Sequence, residues 1–169
     1  MTRTDVGVYV HIPFCATRCD YCAFATWTDR GALIDDYLEA CITDVTRRRD
    51  DGDLADASTV YFGGGTPSLV PARSLMRVLD AIPRADDAEV TVECNPDSID
   101  LAKLRTYRAA GVTRISLGVQ STQPHVLAAL GRTHDRATLA RSCVRPRVAS
   151  TCGCVDCTPR LMRVTPAAR

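Results

Sequence analysis

Three cysteines near the start of the chain have the spacing of a metal-binding loop. Cys15, Cys19 and Cys22 lie within eight residues, with three and then two residues between them. Cysteine thiolates are the usual ligands of iron–sulfur clusters, and three of them on one loop can wrap one side of a cluster. Three ligands leave one iron of a [4Fe–4S] cluster open to a substrate or a cofactor. The spacing therefore predicts that these three thiolates hold a cluster.

A zinc knuckle and a set of three packed cysteines are the alternative interpretations. Zinc sites usually draw on four protein ligands, so the missing fourth partner weighs against zinc. The chain has nine cysteines, and an odd number without an export signal argues against a disulfide framework. Cys41 and Cys94 stand apart in apolar surroundings and are predicted to be small buried hydrophobic residues.

Polar and glycine-rich motifs follow further along the chain. The run Gly63-Gly-Gly-Thr-Pro-Ser68 has glycines that let the backbone approach a ligand and offer N–H groups to it. Glu93 and Gln120 each end a strand-like run, and Arg132 has the planar fork that suits a carboxylate. Taken singly, these motifs are also typical of a tight turn, a helix cap and a solvated helix end.

A strand followed by an amphipathic helix occurs four times in the first 140 or so residues. This alternation predicts parallel βα units. In such sheets chemistry collects at the carboxyl ends of the strands, and each motif above lies just after a strand. The predicted strands are 6–12, 59–62, 89–94 and 114–119, and the predicted helices are 33–49, 72–82, 100–110 and 124–130. The apolar face of the first helix is predicted to comprise Leu33, Tyr37, Leu38, Cys41, Ile42 and Val45.

Composition indicates an ordinary globular domain. The 169 residues are 46% apolar and 24% charged, within the size range of one domain. The net charge of +1 gives no indication of nucleic acid or an anionic membrane as a partner. No run approaches the ~18 apolar residues needed to span a bilayer, and the N-terminus leads directly into a strand without a signal peptide. We therefore expect a cytoplasmic protein.

The motifs together resemble a known family. Cys-x3-Cys-x2-Cys after a first strand is the signature of radical S-adenosylmethionine (SAM) proteins. The flanking Tyr9-Val-His-Ile-Pro-Phe-Cys15 is similar to the oxygen-independent coproporphyrinogen III oxidase family and its HemW-type heme chaperone branch. The resemblance extends over about residues 6–142, with five motifs in order. It implies a truncated parallel (β/α) partial barrel of about four βα units.

The resemblance also implies a cofactor and its contacts. In the superfamily the open iron is chelated by the amino and carboxylate groups of S-adenosylmethionine, and reductive cleavage yields a 5′-deoxyadenosyl radical. The family's glycine loop contacts the methionine end of the cofactor, and its Glu-x-Asn-Pro, Gly-Val-Gln and Arg-x-His segments supply further contacts. Carried over by position, the cofactor-binding residues are Tyr9, Tyr21, Gly64, Gly65, Thr66, Glu93, Gln120 and Arg132. His134 belongs to the last motif without a clear role.

Phe24 bears on the choice between two functions. The oxidases have an additional cysteine two residues after the third ligand, and this position is Phe24 here, as in the HemW-like branch. The resemblance thus favours a protein that binds heme for transfer to target proteins. Oxidative decarboxylation of coproporphyrinogen III is the second hypothesis, and a non-catalytic metal-binding fragment is the third. The partners implied are heme or a porphyrinogen. The electron donor remains open.

The character of the chain changes at about Cys143. Residues 143–169 contain four cysteines, five arginines and three prolines, with no lysine or glutamate. We expect an irregular tail, disordered or frameshift-derived, in place of the family's next βα units and C-terminal domain. The run Cys152-Gly-Cys154-Val-Asp-Cys157 could hold a second cluster, although such spacing also arises by chance in cysteine-rich tracts. The predicted division is therefore a core domain at 1–142 and a tail at 143–169.

Overall fold

A computed structural model of the protein describes residues 6–133 and 149–154. Five parallel strands form one sheet in chain order, β1-β2-β3-β4-β5. The strands are β1 (Gly7–Ile12), β2 (Ala57–Gly64), β3 (Arg84–Cys94), β4 (Arg114–Gln120) and β5 (Ala149–Cys154). The helices are α1 (Ile34–Asp50), α2 (Ala72–Ala81), α3 (Leu101–Ala109) and α4 (Pro124–Ala129). The predicted α/β class with parallel βα units is confirmed.

Strand β2 is longer than the predicted strand at 59–62. It continues through two residues of the glycine run, Gly63 and Gly64, which pair in register with His11 and Ile12 of β1. Glycine weakens an isolated strand, but the neighbouring strand supplies the pairing partners that hold these residues extended. The glycine run therefore begins inside the sheet and leaves it only at Gly65.

Strand β5 differs from the irregular tail expected after Cys143. Residues Ala149–Cys154 pair in parallel with β4, from Arg114 opposite Ala149 to Gln120 opposite Cys154. The prediction of irregular structure is wrong for these six residues, because the open edge of β4 offers unpaired backbone groups to a following segment. The division at 142 stays a prediction. His134, Cys143 and Cys157 lie outside the described residues, so the alternative of a second cluster on Cys152, Cys154 and Cys157 stays untested.

The two faces of the sheet differ in chemistry. On one face, alternate strand residues join the helices in a single core that includes Val60, Phe62, Val90 and Val92, each at most 1% exposed. The residues that alternate with these point to the opposite face. There the first four strands carry Tyr9, His11, Tyr61, Glu93, Ser116 and Gln120. The polar face and the carboxyl edge of the sheet together hold the candidate site.

The helices follow their sequence signals closely. Asp100 caps α3 by accepting a hydrogen bond from the backbone N of Lys103 at 2.7 Å, as a side-chain oxygen at this position should. Leu33 departs from its predicted core position and is 46% exposed, because it lies in a 3-10 turn just before α1. Within the described residues, no helix has the length and apolar composition required to cross a membrane.

Candidate functional site

The cysteine loop leaves the carboxyl end of β1 and is closed at its base by backbone contacts. Phe14 and Trp27 form an isolated parallel bridge. The backbone N of Cys15 donates to the carbonyl of Trp27 at 3.0 Å, and the N of Trp27 donates to that of Pro13 at 2.7 Å. These bonds bring the two ends of the loop together and place the first cysteine directly beside the sheet.

All three predicted ligands lie on this loop as free, half-buried cysteines. A turn joins two of them, with the backbone N of Cys22 donating to the carbonyl of Cys19 at 3.0 Å. Arg18 donates to the carbonyl of Cys22 at 3.3 Å. The hydroxyl of Thr66 donates to Sγ of Cys15 at 3.7 Å, which ties the first thiol to the glycine turn. The loop thus presents three thiols from a backbone held at several points.

Gly64 and Gly65 leave space that other groups of the protein occupy. A Cβ on Gly64 would lie 2.5 Å from Nδ1 of His11, and a Cβ on Gly65 would lie 2.7 Å from the carbonyl of Phe14 and 2.9 Å from Sγ of Cys15. Gly64 also has φ +109°, which side-chain-bearing residues rarely adopt. The glycines therefore allow β1 and the cysteine loop to pack directly against this turn.

The sequence led us to expect that the backbone N–H groups of the turn would be free to bind a ligand. In the structure they are bonded to other groups of the protein. The N of Gly64 donates to Oε2 of Glu93 at 3.3 Å. The N of Gly65 donates to the carbonyl of Ile12 at 2.7 Å, and the N of Thr66 donates to that of Phe14 at 2.8 Å. The turn exits the sheet alongside β1, so its donors meet the carbonyls of that neighbouring chain. Contacts to a cofactor would have to use other atoms of Gly64, Gly65 and Thr66.

Glu93 is a half-buried carboxylate at the centre of the polar face. Tyr61 donates its hydroxyl to Oε1 of Glu93 at 2.6 Å. Burial, followed by this carboxylate, raises the pKa of Tyr61 to about 12, so the phenol stays protonated and remains a donor. Tyr9 stacks on Tyr61 with ring centroids 6.1 Å apart, and burial and the charge of Glu93 raise the pKa of Tyr9 as well. The carboxylate is thus oriented by neutral donors.

Arg132, Gln120 and Tyr21 meet on the side of the site formed by β4. Nη2 of Arg132 lies 3.4 Å from the hydroxyl of Tyr21, which joins the segment after α4 to the cysteine loop. The same Nη2 and the amide of Gln120 both approach Gly118, 3.6 and 3.5 Å from where its Cβ would be. Gln120 ends β4 with φ 65°, a left-handed conformation that turns the chain at the strand's carboxyl end.

One donor in this group has no partner. Nε of Arg132 is buried, and no described residue accepts a hydrogen bond from it. A buried charged donor without an acceptor is costly, and a carboxylate is the acceptor that fits a guanidinium fork best. A carboxylate from a ligand could therefore satisfy Nε of Arg132, and its role as a cofactor contact stays a prediction.

His11 is the site residue that sequence reasoning left aside. Its ring lies between Tyr9, whose hydroxyl is 3.1 Å from Nδ1, and the carbonyl of Ala25, which is 3.0 Å from Nε2. The available signal was its spacing, because His11 alternates with Tyr9 on the polar face of β1. A histidine between two apolar residues of a strand does not by itself reveal such contacts.

The donor set and its surroundings suit an iron–sulfur cluster. No three His, Cys, Asp or Glu side chains in the described ranges converge closely enough to hold a single metal ion. A [4Fe–4S] cluster presents a separate iron to each cysteine, so its ligands need not converge on one point. The loop also exposes aromatic rings, with Tyr21 50%, Phe24 63% and Trp27 49% accessible. The three thiols, the oriented carboxylate and the unpaired arginine donor fit a cluster with a zwitterionic ligand beside it.

The sequence matches a known protein family. Residues 9–145 match the radical SAM superfamily, a range that includes the cysteine loop, the glycine turn, Glu93, Gln120 and Arg132. The match covers most of the chain.

Several curated relatives are named heme chaperones. The heme chaperone HemW of Mycobacterium tuberculosis is 45% identical over 142 residues, which are 80% of this chain and 36% of the relative. The heme chaperone HemW of Escherichia coli is 37% identical over 139 residues, 76% of this chain and 35% of the relative. The chain thus spans about a third of the length of these relatives.

A solved structure shows the same fold. Coproporphyrinogen III oxidase (HemN) from Escherichia coli, described as a radical SAM enzyme, superposes with a TM-score of 0.70 at 28% identity. The superposition covers 80% of this chain and 32% of the oxidase. The parallel sheet and its helices are therefore part of a radical SAM barrel, as predicted.

Proposed function

This chain belongs to the radical SAM superfamily, and from that premise we propose that it holds a [4Fe–4S] cluster on Cys15, Cys19 and Cys22 and binds S-adenosylmethionine beside it. The observation that carries the proposal is the convergence of separate motifs on one polar face and carboxyl edge. The cysteine loop leaves β1, the glycine turn leaves β2, and Glu93 and Gln120 end β3 and β4.

The charges of the site complement the methionine end of the cofactor. Glu93 would accept from its amino group, since Tyr61 and Gly64 each supply only one donor to the carboxylate. Arg132 would pair with its carboxylate through the buried Nε that has no described acceptor. Glu93 lies on β3, whereas Arg132 contacts Tyr21 of the cysteine loop and approaches Gly118 of β4, so the amino and carboxylate groups of the methionine moiety would be held by different residues.

The cluster with its open iron would supply electrons for reductive cleavage of the sulfonium. The chain's own contribution is to present three thiolates, to fix the positions of the amino and carboxylate groups of the cofactor, and to keep Tyr61 protonated as a donor to Glu93. Tyr9 and Tyr21 flank the loop as exposed rings, 57% and 50% accessible, and would cover the cofactor by contact of their faces.

We infer that heme is a second ligand, larger than S-adenosylmethionine. The support is the identity with the HemW heme chaperones and the exposed Phe24 in place of the extra cysteine of the oxidases. The fold likeness to coproporphyrinogen III oxidase makes oxidative decarboxylation of coproporphyrinogen III the second candidate. Heme binding without porphyrinogen turnover would support the first, and turnover would support the second.

Anaerobic reconstitution with iron and sulfide tests the cluster directly. The purified chain should take up about four iron and four sulfide atoms and turn brown. Cys19→Ala should lose at least half of this iron, because one iron of the cluster would then lack its thiolate ligand and two thiolates hold a cluster less firmly than three.

Cys41→Ser is the matched control. Cys41 is a half-buried cysteine of α1 that packs against the core rather than lying on the loop, so its removal should leave the iron content unchanged. A colourless protein with tightly bound zinc, or a Cys19→Ala variant with full iron content, would refute the proposed cluster.

A further inference from the structure

The ring of His11 connects strand β1, the glycine turn and the far arm of the cysteine loop. Nε2 of His11 lies 3.0 Å from the carbonyl of Ala25, three residues beyond Cys22. We propose that His11 is a positioning residue that holds this arm of the loop in place through its Nε2–H bond to Ala25. The inference rests on the proposed function, since the loop is positioned for the cluster.

The contacts of the ring define its tautomer. A backbone carbonyl can only accept, so Nε2 must carry the proton in the bond to Ala25. Nδ1 of the neutral ring is then an acceptor, and the hydroxyl of Tyr9, 3.1 Å away, donates to it. Burial and the charge of Glu93 raise the pKa of Tyr9, so its hydroxyl keeps the proton that this arrangement needs. The ring is thus held at both nitrogens.

Gly64 explains why the ring can occupy this position. A Cβ there would lie 2.5 Å from Nδ1 and 2.6 Å from Cε1 of His11, much closer than nonbonded atoms approach. The ring therefore packs on the bare backbone of the turn. Gly64 therefore has a structural role that needs no ligand, because it leaves the space that the His11 ring occupies.

The bond to Ala25 acts where the loop has few other ties to the sheet. The base of the loop is held through Trp27, which bonds Cys15 and Pro13, and the first thiol is held by Thr66. Ala25 is exposed, and its carbonyl oxygen is bonded to Nε2 of His11. A loop that carries metal ligands keeps a precise geometry when packing and hydrogen bonds fix the residues around it. The packed ring of His11 contributes to fixing this loop.

Amide substitutions separate the Nε2 bond from the rest of the ring. The side-chain amide nitrogen of Gln reaches about as far as Nε2, whereas that of Asn reaches only about as far as Nδ1. His11→Gln should therefore keep the bond to Ala25, and His11→Asn and His11→Leu should lose it. His125→Leu is the matched control, because His125 is an exposed histidine of α4.

The readout is the rate at which the reconstituted protein loses iron to a chelator under anaerobic conditions. Loss of a hydrogen bond worth about 0.5–1.5 kcal/mol corresponds to a rate about two- to tenfold higher in His11→Leu and His11→Asn. His11→Gln and His125→Leu should stay within about twofold of the unsubstituted chain. Urea unfolding of the iron-free proteins reports any general loss of stability separately.

The outcomes distinguish this inference from the proposed function. If the unsubstituted chain takes up no iron, the cluster assignment fails before His11 is tested. If that chain holds iron and His11→Leu releases it no faster, or His11→Gln and His11→Asn release it equally fast, the positioning role of the Nε2 bond is overturned. A rate increase that merely follows the loss of unfolding free energy in every variant would also overturn it.

Discussion

Glu93 is oriented by two donors that belong to the protein itself. Tyr61 and the backbone of Gly64 each bond one of its oxygens, so the carboxylate has a set position without a ligand. The type of residue and its place at the end of a strand were readable from the sequence. Its hydrogen-bond partners could not be predicted in the same way. They lie on β2, and the local sequence around Glu93 does not show which residues of a neighbouring strand will contact it.

At the scale of this residue, Glu93→Gln should weaken S-adenosylmethionine binding to the iron-loaded protein by about ten- to a hundredfold. The reason is the loss of a charge-assisted hydrogen bond worth about 1.5–3 kcal/mol. The iron content should not change, since Glu93 is not a proposed ligand. Equilibrium binding measured by anaerobic calorimetry checks this.

Glu89→Gln is the matched control for this substitution. Glu89 lies on the same strand but bonds Arg114 at 2.9 Å, away from the glycine turn, so its replacement should leave the affinity unchanged. An unchanged affinity in Glu93→Gln, or an equal loss in both variants, would contradict the role given to Glu93.

At the scale of elements, the glycine run shows where sequence reasoning succeeds and where it stops. Its location at the carboxyl end of a strand was correct, although Gly63 and Gly64 belong to the strand itself. The expectation that its N–H groups face a ligand was wrong, because parallel pairing carries Gly63 and Gly64 into the sheet and leaves Gly65 and Thr66 beside the carbonyls of β1. Such contacts depend on how a strand pairs with the neighbouring strand, and the sequence of one strand alone does not show that pairing.

Helix α3 shows the opposite case, in which a local signal suffices. The predicted helix at 100–110 begins at Asp100, a residue type that favours the N-cap, and Asp100 accepts from the backbone N of Lys103 at 2.7 Å. Asp100→Ala should lower the free energy of unfolding by about 1 kcal/mol, measured by urea denaturation of the iron-free protein. Asp100→Asn should retain most of the stability because its side-chain oxygen also caps. Equal stability of all three proteins would show that the cap contributes nothing.

At the scale of the whole molecule, the chain comprises about a third of its heme chaperone relatives. That third contains a helix-covered core on one face of the sheet and the polar groups of the site on the other. The alternation of strand residues between these faces explains how one short stretch of each strand serves both packing and binding. The parallel βα units followed from the alternation of strands and helices along the sequence, whereas β5 did not, because its pairing depends on the open edge of β4.

The central claim is that three cysteines hold a cluster whose open iron binds S-adenosylmethionine. Its most direct test is the electron paramagnetic resonance spectrum of the reconstituted, chemically reduced chain, recorded with and without S-adenosylmethionine. We expect the signal of a reduced [4Fe–4S] cluster and a clear change in its g values when S-adenosylmethionine is added. A cluster signal identical in both samples, or no cluster signal at all, would contradict it.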